Sequence, residues 1–182
     1  KKKLKKSYNL LCPSKKKLRV ENFNQINKFI NKNKIDIIIN LTGQISKNEN
    51  KMYKTIVLGN KNIVDILKKN NLKIHIYFFS TTLVYGYSNK MLNENNKAFP
   101  KINYSNYKNQ AEKYYADKKL NYRIFRISHV YTNKKDGIIK NLIRGIIKNK
   151  KIKIPNFKMK RNYIHLDDLA KIIQISIKTK LK

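Results

Sequence analysis

Short runs of β-branched and aromatic residues alternate along the chain with longer stretches whose apolar positions recur at helical spacing. Val20 to Asn33 carries Phe23, Ile26, Phe29 and Ile30 three and four residues apart, which predicts a helix. Ile35-Asp36-Ile37-Ile38-Ile39-Asn40-Leu41 follows as a continuous β-branched run ended by Thr42-Gly43, the pattern of a strand buried on both faces. Met52 to Asn71 reads as helix again, its apolar side made of Ile56, Leu58, Ile63, Val64, Ile66 and Leu67. A strand is predicted over Ile74 to Ser80, a helix over Tyr104 to Lys119 and a strand over Arg123 to Ser128. Helices are predicted over Gly137 to Lys148 and Leu166 to Ile177, a short strand over Tyr8 to Cys12, and a polar loop over Asn89 to Lys97. Strand alternates with helix at spacings suited to βαβ units. The expected fold is therefore α/β, a Rossmann-like, mostly parallel sheet with helices on both faces.

Charge changes this picture less than its size suggests. The formal net charge is +33, and a surplus that large raises the class of nucleic-acid-binding proteins. Only five of the basic residues are arginines: Arg19, Arg123, Arg126, Arg144 and Arg161. The rest are lysines, accompanied by abundant Asn and Ile, the residues of A/T-rich codons. Readers of phosphates and bases lean on the bidentate arginine fork, so the charge is read chiefly as composition and no specific nucleic-acid partner is expected. The basic start Lys1 to Lys6 lacks a following apolar region, so it is no signal peptide and reads as a solvated helix face. No apolar run approaches the roughly 20 residues that span a bilayer, and no membrane partner is expected. Cys12 stands alone, which excludes an internal disulfide and suits a reducing, cytoplasmic setting. The three histidines and one cysteine show no metal-ligand spacing, so no metal is expected.

Four segments carry the candidate chemistry. Ile39-Asn40-Leu41-Thr42-Gly43 closes one predicted strand, and Phe79-Ser80-Thr81-Thr82-Leu83-Val84-Tyr85-Gly86 closes the next. Tyr104-Ser105-Asn106-Tyr107-Lys108 opens a helix, with Ala111-Glu112 a turn later. The fourth segment is Arg161-Asn162-Tyr163-Ile164-His165-Leu166-Asp167-Asp168-Leu169-Ala170. A Tyr and a Lys four apart are neighbours across one helical turn. A free phenol, with a pKa near 10, is a poor base. An adjacent ammonium favours the phenolate and brings that pKa toward working pH. A hydroxyl at the tip of a neighbouring strand then holds a substrate oxygen against the phenol.

In these four segments, taken in order, the chain resembles the extended short-chain dehydrogenase/reductase family, the NAD-dependent epimerases, dehydratases and reductases of nucleotide sugars, from about Tyr8 to Lys178. The resemblance implies that Tyr104 is the general acid/base, that Lys108 lowers its pKa and holds the nicotinamide ribose, and that Thr81 is the catalytic hydroxyl. It places Asn40, Leu41, Thr42, Gly43 and Ser80 beside the cofactor with Tyr104 and Lys108. It gives the substrate Thr81, His129 and Arg161, the last on the diphosphate of the sugar nucleotide. The implied function is NAD(P)-dependent oxidoreduction at a nucleotide-sugar carbon, of 4-epimerase or 4-keto reductase type, in a homodimer. Residues 1–182 would form a partial NAD(P)-binding domain, with 130–165 contributing to the start of the substrate-binding region.

The departures from the family are specific. The glycine-rich loop that seats the cofactor pyrophosphate is not found, since Gly43, Gly59, Gly86, Gly137 and Gly145 lie far apart. The first strand and the C-terminal substrate segment have no counterpart either, so a fragment of a longer protein is expected. Thr82 and Leu83 stand where the 4,6-dehydratases carry Asp-Glu, which argues against a dehydratase, and Leu83 stands where the fucose-synthase type carries Cys. Ile56 replaces an Asn common in the central helix, which keeps a non-catalytic relative as an alternative beside the basic nucleic-acid binder. The turn after Pro13 carries Lys15, Lys16 and Lys17 and no acid for a ribose 2′-hydroxyl, so NAD and NADP both stay open. Tyr107 is read as a packing aromatic, His75 as structural, and His165 and Asp168 as ties for the last helix.

Overall fold

The computed structural model describes residues 4, 7–43, 45–116, 120–132, 138–151 and 161–179. The chain divides into two compact units, Cys12–Ile127 and a second made of Lys1–Leu11 with Ser128–Lys182.

The larger unit is built on three parallel strands, β1 (Ile37–Asn40), β2 (His75–Thr81) and β3 (Tyr122–Ile127), in the order β1-β2-β3. Asn40 pairs with Phe78, and Thr81 with Ile127. Helix α1 (Phe23–Lys32) starts at Asn22, whose Oδ1 accepts the Gln25 N–H at 3.0 Å, a side-chain cap for an otherwise orphaned donor. Helix α2 (Glu49–Tyr53), capped by Asn48, passes through a π turn (Lys54–Leu58) into α3 (Gly59–Lys69). After β2 comes a 3₁₀ turn (Thr82–Tyr85), and helix α4 (Asn103–Tyr115) precedes β3. Ile26 and Ile30 of α1, Ile63, Ile66 and Leu67 of α3 and Ala111 and Tyr115 of α4 pack against Ile76 and Phe78 of β2. The other face of the sheet presents Tyr77 and Phe79, whose rings meet Phe125 of β3 with centroids 5.9 and 5.1 Å apart.

The smaller unit contains two three-residue parallel strands, β4 (His129–Tyr131) and β5 (Tyr163–His165), with His129 opposite Tyr163. It also contains helices α5 (Ile138–Ile147) and α6 (Leu166–Lys178). His165 caps α6 through Nδ1, which accepts the Asp167 N–H at 3.3 Å. Asp167 and Asp168 then occupy the first turn, where negative charge suits the helix dipole. His165 thus ties the helix to β5 as expected, whereas Asp168 meets Lys171 of its own helix at 3.2 Å.

The parallel α/β, Rossmann-like architecture expected from the sequence is the one found. Two expectations need correction. Tyr8 to Cys12 forms no strand, because an extended segment becomes a strand only by pairing with another strand, and among the described residues none pairs with it; the Tyr8 N–H instead closes a turn onto Leu4 O at 3.0 Å. The Ile35 to Leu41 run is not buried on both faces: Ile37, Ile38 and Ile39 are half-buried and Leu41 is 65% exposed. Among the described residues β1 has a partner on one side only, and full burial falls to the central strand β2. Strands β4 and β5 were not anticipated, being too short to show a period. Gly137 lies outside the described residues, as do 117–119 at the expected end of α4. Among the described residues no helix is long and apolar enough to cross a membrane.

Gly59 sets how closely α3 approaches the segment before α1. A Cβ there would lie 2.7 Å from Val20 Cγ2 and 3.0 Å from Val20 Cβ. Alanine normally gains about 1 kcal/mol over glycine in a helix, but overpacking costs about 1–3 kcal/mol and a β-branched neighbour yields poorly. Gly59→Ala should therefore lower the unfolding midpoint in urea rather than raise it.

Candidate active site

The turn after β1 is fixed by the last residue of the strand. Asn40 is buried, and its Oδ1 accepts the Thr42 N–H at 3.0 Å. Its Nδ2 donates to Asn60 Oδ1 at 2.7 Å and to the Tyr115 hydroxyl at 3.2 Å. Gly43 then takes φ +97°, a conformation L side chains rarely adopt. A Cβ at Gly43 would sit 2.5 Å from Ile56 Cγ1 and 3.4 Å from Lys108 Cε, so the turn lies directly on the π turn and on Lys108. Thr42 Oγ1 is buried and has no hydrogen-bond partner among the described residues.

The end of β2 is tied down by a chain of charged groups. Ser80 Oγ donates to Glu112, and Arg126 holds the same carboxylate with both Nε and Nη2, the latter at 2.6 Å from Oε2. The Arg126 guanidinium also lies 4.7 Å from the Tyr85 ring centre. The hydrogen bond to Glu112 raises the Arg126 pKa above its ordinary value. Thr81 Oγ1 accepts the Leu83 N–H at 3.3 Å and so starts the 3₁₀ turn, leaving the hydroxyl proton free to be given elsewhere.

Helix α4 brings the Tyr-Lys pair to these two strand ends. Ser105 Oγ donates to Ile102 O at 2.9 Å and fastens the first turn. Lys108 is only 2% exposed. Its Nζ donates to Thr42 O at 2.8 Å and to Phe79 O at 2.6 Å, and it lies 4.7 Å from the Phe78 ring centre. Burial lowers its pKa to about 8, against the opposing pull of Glu112. Tyr104 is half-buried, its ring centre 6.0 Å from the Lys108 ammonium.

The phenol was expected to be pulled down by that ammonium, and here the expectation fails. Burial pushes the Tyr104 pKa up from its ordinary value. At 6.0 Å, with two of its three protons already given to carbonyls, the ammonium does not offset the loss of water around the phenol. Tyr107 behaves as the packing aromatic it was read to be: its hydroxyl donates to Glu49 Oε1 at 2.7 Å and its ring meets Tyr53 edge-on.

Thr81, Tyr104, Lys108, Ser80, Asn40, Thr42 and Gly43 thus belong to one unit, at the C-terminal ends of β1 and β2 and the start of α4. Leu41 sits on the same turn with an exposed side chain. His129 and Arg161 belong to the other unit, where Arg161 Nη1 meets His129 Nε2 at 3.2 Å and the His129 ring lies 5.3 Å from that of Tyr163. The spare proton of Lys108, the orphaned Thr42 hydroxyl and the free proton of Thr81 fit the hydroxyl-rich ribose end of a nicotinamide cofactor. Gly43, Gly59 and Gly86 do not fit its pyrophosphate: the space beside Gly43 is filled by Ile56, beside Gly59 by Val20, and beside Gly86 by Phe99 O. Sequence reasoning missed Asn60, Tyr115 and Arg126, and assigned no role to Glu112. The available signal was a polar residue, Asn60, within an otherwise apolar helix face.

The model of the family described as NAD dependent epimerase/dehydratase matches residues 3–181. No curated protein matches the chain. Among solved structures, the chain is similar to a dTDP-4-dehydrorhamnose reductase of Clostridium acetobutylicum, with TM-score 0.81 and 23% identity over 97% of this chain and 64% of that one. It is similar to the dTDP-4-dehydrorhamnose reductase of Bacillus anthracis in complex with NADP, with TM-score 0.80 and 20% identity over 98% and 66%. It is also similar to the UDP-glucose 4-epimerase of Thermotoga maritima with UDP-glucose, with TM-score 0.75 and 17% identity over 88% and 58%. The chain spans less than two thirds of the length of each.

A lysine whose pKa falls from 10.5 unfolded to about 8 folded burdens the native state while it is charged in both. Between those two values the unfolded chain holds the proton and the folded chain does not, so stability rises with pH. The stability of wild type relative to Lys108→Met should therefore improve by about 3 kcal/mol between pH 8 and 10.5. Urea unfolding of both proteins across that range checks it. A constant gap would place the ammonium in water.

Proposed function

The chain belongs to the NAD dependent epimerase/dehydratase family, and from that premise we propose that the protein carrying it catalyses NAD- or NADP-dependent oxidoreduction at a carbon of a nucleotide sugar, as a 4-epimerase or 4-keto reductase. The observation that carries this reading is the buried Lys108 ammonium, held between the ends of β1 and β2 one helical turn from Tyr104. When bound, the nicotinamide supplies or accepts the hydride. Tyr104 moves the accompanying proton to or from the sugar oxygen. Thr81 donates its free hydroxyl proton to that same oxygen and so fixes the distance over which Tyr104 works. Lys108 offers its remaining proton to the ribose, with Thr42 Oγ1 as a further partner. Asn40 and Gly43 shape the turn that presents them, and Ser80 braces the strand end through Glu112.

The raised Tyr104 pKa bears on direction. A phenol kept protonated is ready to give its proton to the oxygen of a keto sugar as hydride arrives at the carbon. Working in reverse, it first needs a partner that stabilises the phenolate. A 4-keto reductase and a 4-epimerase both include that keto-reducing step. His129 and Arg161 are proposed to meet the substrate, where the guanidinium suits a diphosphate, and the stretch 130–165 is proposed to contribute to the start of the substrate-binding region. Assembly as a homodimer and a cytoplasmic setting belong to the same proposal.

Calorimetry with NAD and NADP tests the reading, and a protein carrying this chain that binds neither would overturn it. Tyr104→Phe should leave cofactor affinity nearly unchanged and cut turnover about a hundredfold or more, the scale of a positioned acid/base. Lys108→Ala should damage both. Tyr107→Phe is the internal control and should do little; if it abolishes turnover while Tyr104→Phe does not, the assignment falls.

A further inference from the structure

One polar residue of the core is used by none of the roles above. Asn60 is fully buried in α3, directly after the π turn, on a helix face otherwise made of Ile56, Ile63, Val64 and Leu67. A buried carboxamide is tolerated only when its donors and acceptors are paired, and this one is. Its Nδ2 donates to Ile56 O within the π turn, and its Oδ1 accepts from both Asn40 Nδ2 and the Tyr115 hydroxyl. Asn40 Nδ2 also donates to Tyr115, so three side chains from β1, α3 and α4 close a triangle.

We propose that Asn60 is a positioning residue for the reaction: by orienting Asn40 it fixes the Thr42–Gly43 turn, whose Thr42 carbonyl holds the Lys108 ammonium. The links are continuous. Asn60 Oδ1 orients the Asn40 amide, and the other end of that amide accepts the Thr42 N–H at 3.0 Å. The Thr42 carbonyl then accepts from Lys108 at 2.8 Å. The same Asn60 bonds the carbonyl of Ile56, whose side chain fills the space beside Gly43. Both supports of the turn thus run through one carboxamide. Asn60 lies one helical turn after Ile56, on the same face of the helix. An apolar residue at 60 would leave the Tyr115 proton without its acceptor and free the Asn40 amide to rotate away from Thr42.

The proposal rests on the reading of Lys108 as the residue that serves cofactor and phenol, and one experiment separates the two. Amide hydrogen exchange at Thr42 is compared with that at Phe78 in β2, in wild type, Asn60→Leu, Asn40→Leu and the double variant, beside NAD or NADP affinity. Asn60→Leu should speed exchange at Thr42 about tenfold or more relative to Phe78, the sign of a local opening, and weaken cofactor binding about tenfold. In the Asn40→Leu background the Asn60 substitution should add much less than it does alone, because only the support through Ile56 is left to lose. If Asn60→Leu does not fold, Tyr115→Phe removes one hydroxyl of the same triangle and should give a smaller change at Thr42 of the same sign. Exchange that rises equally at Thr42 and Phe78, or independent effects of the two asparagines, would overturn the positioning role and leave a stability role. Local opening at Thr42 in a protein whose wild type binds neither cofactor would uphold the positioning and overturn the cofactor reading.

Discussion

A buried ammonium is the constraint on which the rest of this site depends. Taking a lysine out of water is costly unless its protons find acceptors, and Lys108 finds them in two backbone carbonyls from different segments, Thr42 O and Phe79 O. The side chain therefore works as a strut between the turn after β1 and the end of β2, anchored on α4. Much of the surrounding structure serves this strut. Gly43 brings the turn close, Asn40 holds its first amide, and Ile56 packs beneath it. Ser80, Glu112 and Arg126 clamp the neighbouring strand end to the same helix.

The cost of that burial is also what makes the group chemically useful. An ammonium whose pKa has dropped to about 8 gives its remaining proton more readily than a surface lysine does. Tyr104 stands beside it but is not yet activated, since burial alone sets the direction of its shift. A neutral phenol next to a half-committed ammonium is a resting arrangement. It suits a site whose charge is completed by what binds there, and it explains why a Tyr and a Lys four residues apart do not by themselves make a base.

Most of the frame was legible in the sequence because its elements carry strong periods. Within β2 the run Ile76 to Phe79 is aromatic and β-branched throughout, and α1 and α3 repeat apolar residues at helical spacing. The Tyr-Lys pair was legible because helix geometry fixes which residues share a face. Four things were not. Strands β4 and β5 are three residues long and show no pattern. The Tyr8 segment has the composition of a strand, but a strand needs a partner that composition does not reveal. Where the Lys108 protons go is decided by carbonyls 29 and 66 residues away in sequence, and the upward Tyr104 shift by a burial that no local spacing reveals. Asn60 was hidden for the same reason, its partners lying 20 and 55 residues distant.

The most direct test of the strut is the titration of Lys108 itself. With lysine labelled at Cε with carbon-13, the Lys108 resonance can be assigned by its loss in Lys108→Met and followed by NMR between pH 6 and 12. A midpoint near 8, well below the ordinary lysine value of about 10.5, is the predicted result. A midpoint at that ordinary value would mean that the ammonium stands in water, bound to neither strand end, and would contradict the account.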